Sequence, residues 1–316
     1  MNTKSVRHVL SVSDLSVTEI LSVLSMAALI KQRITVTNTF PPLLSQRTMA
    51  MIFEKPSLRT RVSFETGMTY LGGHAIYLGP QDIGLGTRES IPDIAGTLSR
   101  YVSIIMARVF AHKTLEDLAA ASSVPVINAL SDREHPCQTL ADLLTMKEQC
   151  GSLRGLTVAF VGDGENNVTH SLALAACKLG MHLRIASPKE YQPLPDIIEE
   201  AQKLAVLSGG SVILTKDPVE AVKGAKVVYT DTWVSMGDEK EKAKRLKDFR
   251  TYQINAAIMK KALPDAIFLH DMPAYRGNEV SAEVIDGKQS RIFDQAENRL
   301  HAQMALVILL LGARMP

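Results

Sequence analysis

The chain has 316 residues, 46% of them hydrophobic and 22% charged, which places it among ordinary globular proteins and excludes disordered and fibrous classes. Thirty-five Lys and Arg against 33 Asp and Glu leave a formal charge of +2, so a nucleic-acid surface built on bulk electrostatics is excluded and any anion recognition must be local. Cys137, Cys150 and Cys177 are widely spaced, offer neither an even disulfide framework nor a CxxC metal pair, and suit a reducing, cytoplasmic compartment.

The opening "MNTKSVRHVLSVSDLS" has no apolar core of a secretory signal, and the run Met304 to Leu311 falls short of the roughly 20 residues that span a bilayer. No membrane is implied, and the terminal run reads as a buried helix. Asp14 is placed to cap a first amphipathic helix in which Leu15, Ile20, Leu21, Leu24 and Leu29 share one face. "RTMAMIFE" reads as a buried strand, and "KPSLRTRVSFETGMTYLGG" as a turn feeding a helix that stops at Gly72-Gly73.

Strand-like and helix-like segments then alternate through "HAIYLG", "DIAGTLSRY", "SIIMARV", "TLEDLAAAS" and "VPVINAL". A longer helix, "HPCQTLADLLTMKEQCG", links this half to a second alternation that starts at Leu156 and runs to "AIFLHD". The expected fold is α/β: two tandem open parallel-sheet domains of about 150 residues, with ligands beyond the carboxyl ends of the strands.

Several strand ends carry chemistry. "SLRTR" (57–61) sets hydroxyls and guanidinium forks at a strand-to-helix turn, as a phosphate requires; its plain alternative is a solvated, N-capped first turn. Arg108 follows an apolar run, and His135 and Gln138 stand one helical turn apart at a helix start, where a lone His more often caps or packs. Cys137 lacks further ligands at zinc spacing and reads as a small buried hydrophobe. "VGDGENN" departs from a dinucleotide fingerprint: Asn167 stands at the third glycine, and no acid follows about 20 residues on. Asn166 and Asn167 are therefore polar reader groups or turn residues. "DTWVSMG" (231–237) offers Asp231 to an ammonium and Ser235 to a carboxylate, or forms an Asx turn. Glu297, Arg299 and His301 open the last helix, either as site residues or as a salt-bridged surface turn.

In order along the entire chain, "FEKPSLRTRVSFE", "MARVF", "SDREHPCQTLADLLT", "VGDGENNVTHSL", "DTWVSMG", "HDMPAYRGNEV" and "QAENRLHAQ" closely resemble the transcarbamylases, and within them the ornithine-specific members. The resemblance implies a carbamoyl-phosphate-binding domain over residues 1–150, completed by a C-terminal helix at 295–316, and an ornithine-binding domain over 151–294. It also implies two crossing helices between them and a homotrimer or an assembly of trimers. Carbamoyl phosphate is assigned to Ser57, Leu58, Arg59, Thr60, Arg108, His135, Gln138, Met272 and Arg299, with Gln81 lent to a neighbouring subunit. Asn167, Asp231, Ser235 and Met236 are assigned to ornithine. The implied reaction carries the carbamoyl group to the δ-amine of L-ornithine, giving L-citrulline and phosphate, with no metal or organic cofactor.

The sequence departs from that family at two positions. Leu58 replaces a threonine, which costs little if the contact there is a backbone N–H and on the order of 1 kcal/mol if it is a hydroxyl. Asp271 replaces the cysteine described as the proton acceptor for the attacking nitrogen, while the Met272 carbonyl is expected to hold the carbamoyl NH2. Asp271, Arg108 and His135 form the expected catalytic set. A carboxylate can serve as the base, yet it also stabilises the ammonium form of an amine whose pKa is already about 10.4. Three outcomes follow: an active ornithine enzyme, a carbamoyltransferase with a shifted acceptor such as putrescine, lysine or an acylated ornithine, or a weakly catalytic ligand-binding paralogue.

Overall fold

Short apolar runs become parallel strands in this chain because the connecting helices cover both faces of the sheets, leaving little need for polar alternation. The computed structural model describes residues 6–235, 237 and 239–313; Met236 lies outside them. The chain divides into two compact units, Met1–Leu144 with Glu297–Pro316, and Thr145–Ala296.

The first unit comprises α1 (Val17–Thr37), β1 (Thr48–Phe53), α2 (Leu58–Tyr70), β2 (His74–Leu78), α3 (Pro80–Ile83), α4 (Ile91–Tyr101), β3 (Ile104–Arg108), α5 (His112–Ala121), β4 (Val126–Leu130) and the start of α6 (Pro136–Cys150). The second contains β5 (Thr157–Val161), α7 (Asn167–Lys178), β6 (His182–Ala186), α8 (Pro195–Ser208), β7 (Ser211–Thr215), α9 (Pro218–Val222), β8 (Val227–Tyr229), α10 (Lys242–Asp248), α11 (Ala256–Met259), β9 (Ile267–Leu269), α12 (Ala282–Ile285) and the start of α13 (Ile292–Leu311). The unit divisions fall inside α6 and α13, so these two helices carry the chain from one unit to the other.

Strand order is β2-β1-β3-β4 in a four-stranded sheet and β7-β6-β5-β8-β9 in a five-stranded one, with parallel pairing throughout. Successive crossovers leave β1 toward opposite sides to reach β2 and β3, and leave β5 toward β6 and β8. Each sheet therefore has a switch point, where loops diverge and open a crevice at the strand ends. The core of the first unit is aliphatic around Ile52, Ile105, Ala107 and Leu115, whereas that of the second joins Val161 and Val228 to the aromatic rings of Trp233 and Phe249.

Local details correct three expectations. Ser16, not Asp14, caps α1, through a reciprocal capping box with Glu19; Asp14 closes a separate 3-10 turn at Val12–Asp14 capped by Ser11. The buried face of α1 is Ile20, Val23, Leu24, Ala27 and Ile30, whereas Leu21 and Leu29 face outward and Leu15 precedes the helix. The 3.6-residue period selects that first set. The last helix begins at Ile292, which places Arg299 two turns inside it rather than at its start.

Candidate functional site

At the switch point of the first sheet, β1 runs into the N-terminus of α2. Ser57 caps that helix, its Oγ accepting from the Thr60 N–H and donating to Thr60 Oγ1 at 3.1 Å. The first-turn N–H groups of a helix lack intrahelical partners and point outward, where an anion can take them. Leu58, the first helical residue, is 75% exposed, so its side chain stands away from this network and the backbone is what position 58 offers. Arg59 is half-buried on the same turn. Arg61, the second arginine of "SLRTR", lies over the Tyr77 ring and pairs with Glu65 at 3.0 Å.

Arg108 is the last residue of β3, beside Phe53 of β1, and the register shifts at Ala107/Arg108 where β3 pairs with β4. His135 precedes α6, its carbonyl accepting the Gln138 and Thr139 N–H groups. The imidazole is buried. Burial, reinforced by the positive charges of Arg299, Arg108 and Arg59, holds its pKa well below the ordinary histidine value, so it is neutral at physiological pH.

Arg299 joins these parts. Its Nη1 donates to Gln138 Oε1 at 2.6 Å, its Nη2 to Thr60 Oγ1 at 3.2 Å and its Nε to Gln303 Oε1 at 2.8 Å. Gln138 Nε2 in turn donates to Asp142 Oδ1 at 2.8 Å, and Gln303 Nε2 to Ser63 Oγ at 2.7 Å. Asp142, Gln303 and Ser63 escaped the sequence reading. Their only signal is spacing: Gln138/Asp142 and Arg299/Gln303 are i,i+4 pairs on helices. Gln81 is exposed on α3, apart from this network among the described residues.

The second unit repeats the geometry. Between β5 and β8, Gly162 to Asn166 and Thr230 to Ser235 emerge side by side. Asn166 caps α7, its Oδ1 accepting from Val168 N–H and its Nδ2 donating to Asp231 Oδ2. Its φ of −69° is extended, which rules out the left-handed turn role considered for it. Asn167, the first residue of α7, is half-buried, as is Ser235 in the loop after β8. Gly164 is set by packing: a Cβ there would lie 2.6 Å from the Tyr191 carbonyl.

Beyond β9, His270 is buried and held by three bonds. Its N–H donates to Gln295 Oε1, its Nδ1 accepts the Met272 N–H at 2.9 Å, and its Nε2 stands 3.2 Å from Glu279 Oε1. Met272 takes φ +60°, a left-handed conformation unfavourable for a long side chain, which those contacts over-determine. Asp271, with a 14%-exposed side chain, faces Asp231. Arg276 is instead an exposed partner of Asp286.

Two family models divide the chain. The carbamoyl-P binding domain of aspartate/ornithine carbamoyltransferase matches residues 7–148, and the Asp/Orn binding domain matches residues 154–310. The chain belongs to the aspartate/ornithine carbamoyltransferase family. It is 50% identical over 302 residues to an ornithine carbamoyltransferase of Anoxybacillus flavithermus, covering 96% of each chain. It is 51% identical over 308 residues to the anabolic ornithine carbamoyltransferase of Pyrococcus furiosus, covering 97% of this chain and 96% of that one. The solved structure of the ornithine carbamoyltransferase from Pyrococcus furiosus superposes with a TM-score of 0.94 at 50% identity, over 98% of each chain. As a member of this family the protein is an enzyme, a transferase.

One element of this carbamoyltransferase has no precedent in the sequence reading. Arg245 of α10 donates to Asp163 Oδ2 at 2.7 Å and to the Trp233 carbonyl at 3.2 Å, tying together the loops after β5 and β8. Burial pushes the Asp163 carboxyl up to about 7 in spite of that partner. Its proton is held more tightly folded than unfolded, so the stability it contributes is full below the usual 3.8 and is lost as pH rises through about 7. Arg245→Met leaves a buried carboxylate unpaired. The expected cost is about 3–5 kcal/mol at pH 8 and clearly less at pH 5.5, where Asp163 takes up a proton. Urea unfolding followed through Trp233, the single tryptophan, measures it; equal costs at both pH values would refute this account.

Proposed function

We propose that this protein transfers the carbamoyl group of carbamoyl phosphate to the δ-amine of L-ornithine, yielding L-citrulline and phosphate. The observation that carries the proposal is the buried His135, its pKa lowered by burial and by Arg299, Arg108 and Arg59, with Arg299 bonded to both Thr60 and Gln138. Three guanidinium groups suit a dianionic leaving group, and a neutral imidazole among them can donate to a carbonyl oxygen without adding a fourth charge.

In this reading the N-terminal turn of α2, through Ser57, Leu58, Arg59 and Thr60, takes the phosphate together with Arg108. His135, Thr60 and Arg108 polarise the carbonyl, Gln138 and the Met272 carbonyl hold the carbamoyl NH2, and Arg299 fixes Thr60 and Gln138. Asp231 receives the α-ammonium of ornithine, and Asn167 and Ser235 its carboxylate, with Met236 assigned there from the sequence. Asp271 accepts the proton of the attacking nitrogen. The reading extends to three-copy assembly, in which the exposed Gln81 serves a neighbouring subunit's site, and to a cytoplasmic enzyme of arginine biosynthesis, as the anabolic relative favours.

The test is a panel of ornithine, lysine and putrescine with carbamoyl phosphate, scored for ureido product. Ornithine is expected to lead over putrescine, because only an α-amino acid fills the contacts around Asp231 and Ser235, and over lysine, whose extra methylene displaces the terminal nitrogen. Preference for putrescine overturns the acceptor; product from none of them, with carbamoyl phosphate still bound, overturns catalysis.

A further inference from the structure

The acid at position 271 does not stand alone. A carboxylate oxygen of Asp231, a carboxylate oxygen of Asp271 and a ring nitrogen of His270 all lie within 4.8 Å of one another. Ionised carboxylates repel each other, so two held this close and largely out of water favour a state with one proton between them. Asp231 is also held from its other neighbours: Oδ1 accepts the Thr232 N–H at 2.7 Å and Oδ2 the Asn166 amide.

The charged and titratable groups facing the pair are few. His270 Nδ1 lies 3.8 Å from Asp271 Oδ1 but already accepts the Met272 N–H, and its Nε2 is directed at Glu279. With both ring nitrogens engaged, the trio is poorly set to ligate a metal, and His270 Nδ1, which accepts an N–H, carries no proton toward Asp271. Burial and the adjacent Asp271 push the Asp231 carboxyl well above the ordinary carboxylate range, the behaviour of two acids sharing one proton.

We propose that Asp231 and Asp271 act as a single-proton acid pair, which discharges its proton to solvent when the acceptor's ammonium docks and recovers one from that ammonium before attack. Asp231 thereby becomes a catalytic residue as well as a binding one. The inference rests on the cationic amine acceptor proposed above.

The steps balance. The resting pair carries one proton and one negative charge; docking of the terminal ammonium releases that proton. The ammonium then passes a proton to the pair and becomes the free amine. Its lone pair forms the C–N bond to the carbamoyl carbon, the C–O bond to phosphate breaks with its electrons going to phosphate, and the second nitrogen proton leaves with phosphate as the hydrogen phosphate dianion. The pair ends with the one proton it began with. The single proton produced per turnover is the one released at docking.

Infrared titration of the full chain in D2O tests the resting state. At neutral pH the wild type is expected to show one protonated carboxyl more than Asp271→Asn, over the contribution of Asp163 that both share. Asp271→Cys provides the same comparison should the asparagine variant fold poorly. No difference from either variant overturns the pair. Calorimetry of ornithine binding, in buffers of different ionisation enthalpy and with phosphonoacetamide present, tests the docking step. About one proton released by the wild type and none by Asp271→Asn supports it; equal release overturns it. An infrared difference without ornithine binding would leave the pair standing and bring down the acceptor assignment instead.

Discussion

Arg299→Met is expected to lower kcat/KM for carbamoyl phosphate by about 10^3-fold. Removing one preorganised donor to developing charge typically costs about 10^2–10^3 in rate, and this arginine also aligns Thr60 and Gln138 through charge-assisted bonds. Methionine keeps much of the packed volume but leaves Gln138, Thr60 and Gln303 without their donor. A second effect follows in the same variant. Arg299 is the first of the three charges that depress the His135 pKa, so its loss lets that pKa rise. Histidine protonation then sets in at higher pH than in the wild type, and the acid limb of the pH profile moves upward. Steady-state kinetics over pH, with NMR titration of the imidazole, measure both. A loss below tenfold, or an unmoved His135, would remove Arg299 from the centre of the site.

The second large effect concerns the acid at the end of β9. Asp271→Asn keeps size and polarity but cannot take a proton, and kcat is expected to fall by about 10^2–10^4-fold, the usual worth of a general base. KM for carbamoyl phosphate is expected to hold near its wild-type value, because the phosphate contacts proposed for α2 and Arg108 belong to the other unit. Asp271→Cys restores the residue of the resemblance and is expected to retain substantial activity, with an optimum displaced toward the thiol range near 8.5. If the asparagine variant turns over as fast as the wild type, another group accepts the proton.

Much of this was legible before any coordinate. The capped turn at Ser57 to Thr60, Arg108 at a strand end, and His135 with Gln138 at a helix start all follow from local rules: apolar runs make strands and caps start helices. The apolar runs themselves specified two parallel-sheet units, since each run is short, β-rich and separated by a helical stretch. Where local rules failed, the reason was geometric. Asp14 satisfies the composition of a cap yet caps nothing in α1, because Ser16 with Glu19 offers the reciprocal bonding. Leu21 and Leu29 are as apolar as Leu24, and only the phase of the helix against its neighbours turns them outward.

The sequence by itself determined which residue types would carry charge and where the strand ends would fall, because both depend on short-range order. Pairing was decided by the tertiary structure alone. Arg299 is 239 residues from Thr60 and 161 from Gln138, Arg245 is 82 from Asp163, and Asp231 is 40 from Asp271. No periodicity reports such separations. By sequence Asp271 is one acid replacing one thiol; the fold sets it against a second acid, and that juxtaposition makes it chemically consequential.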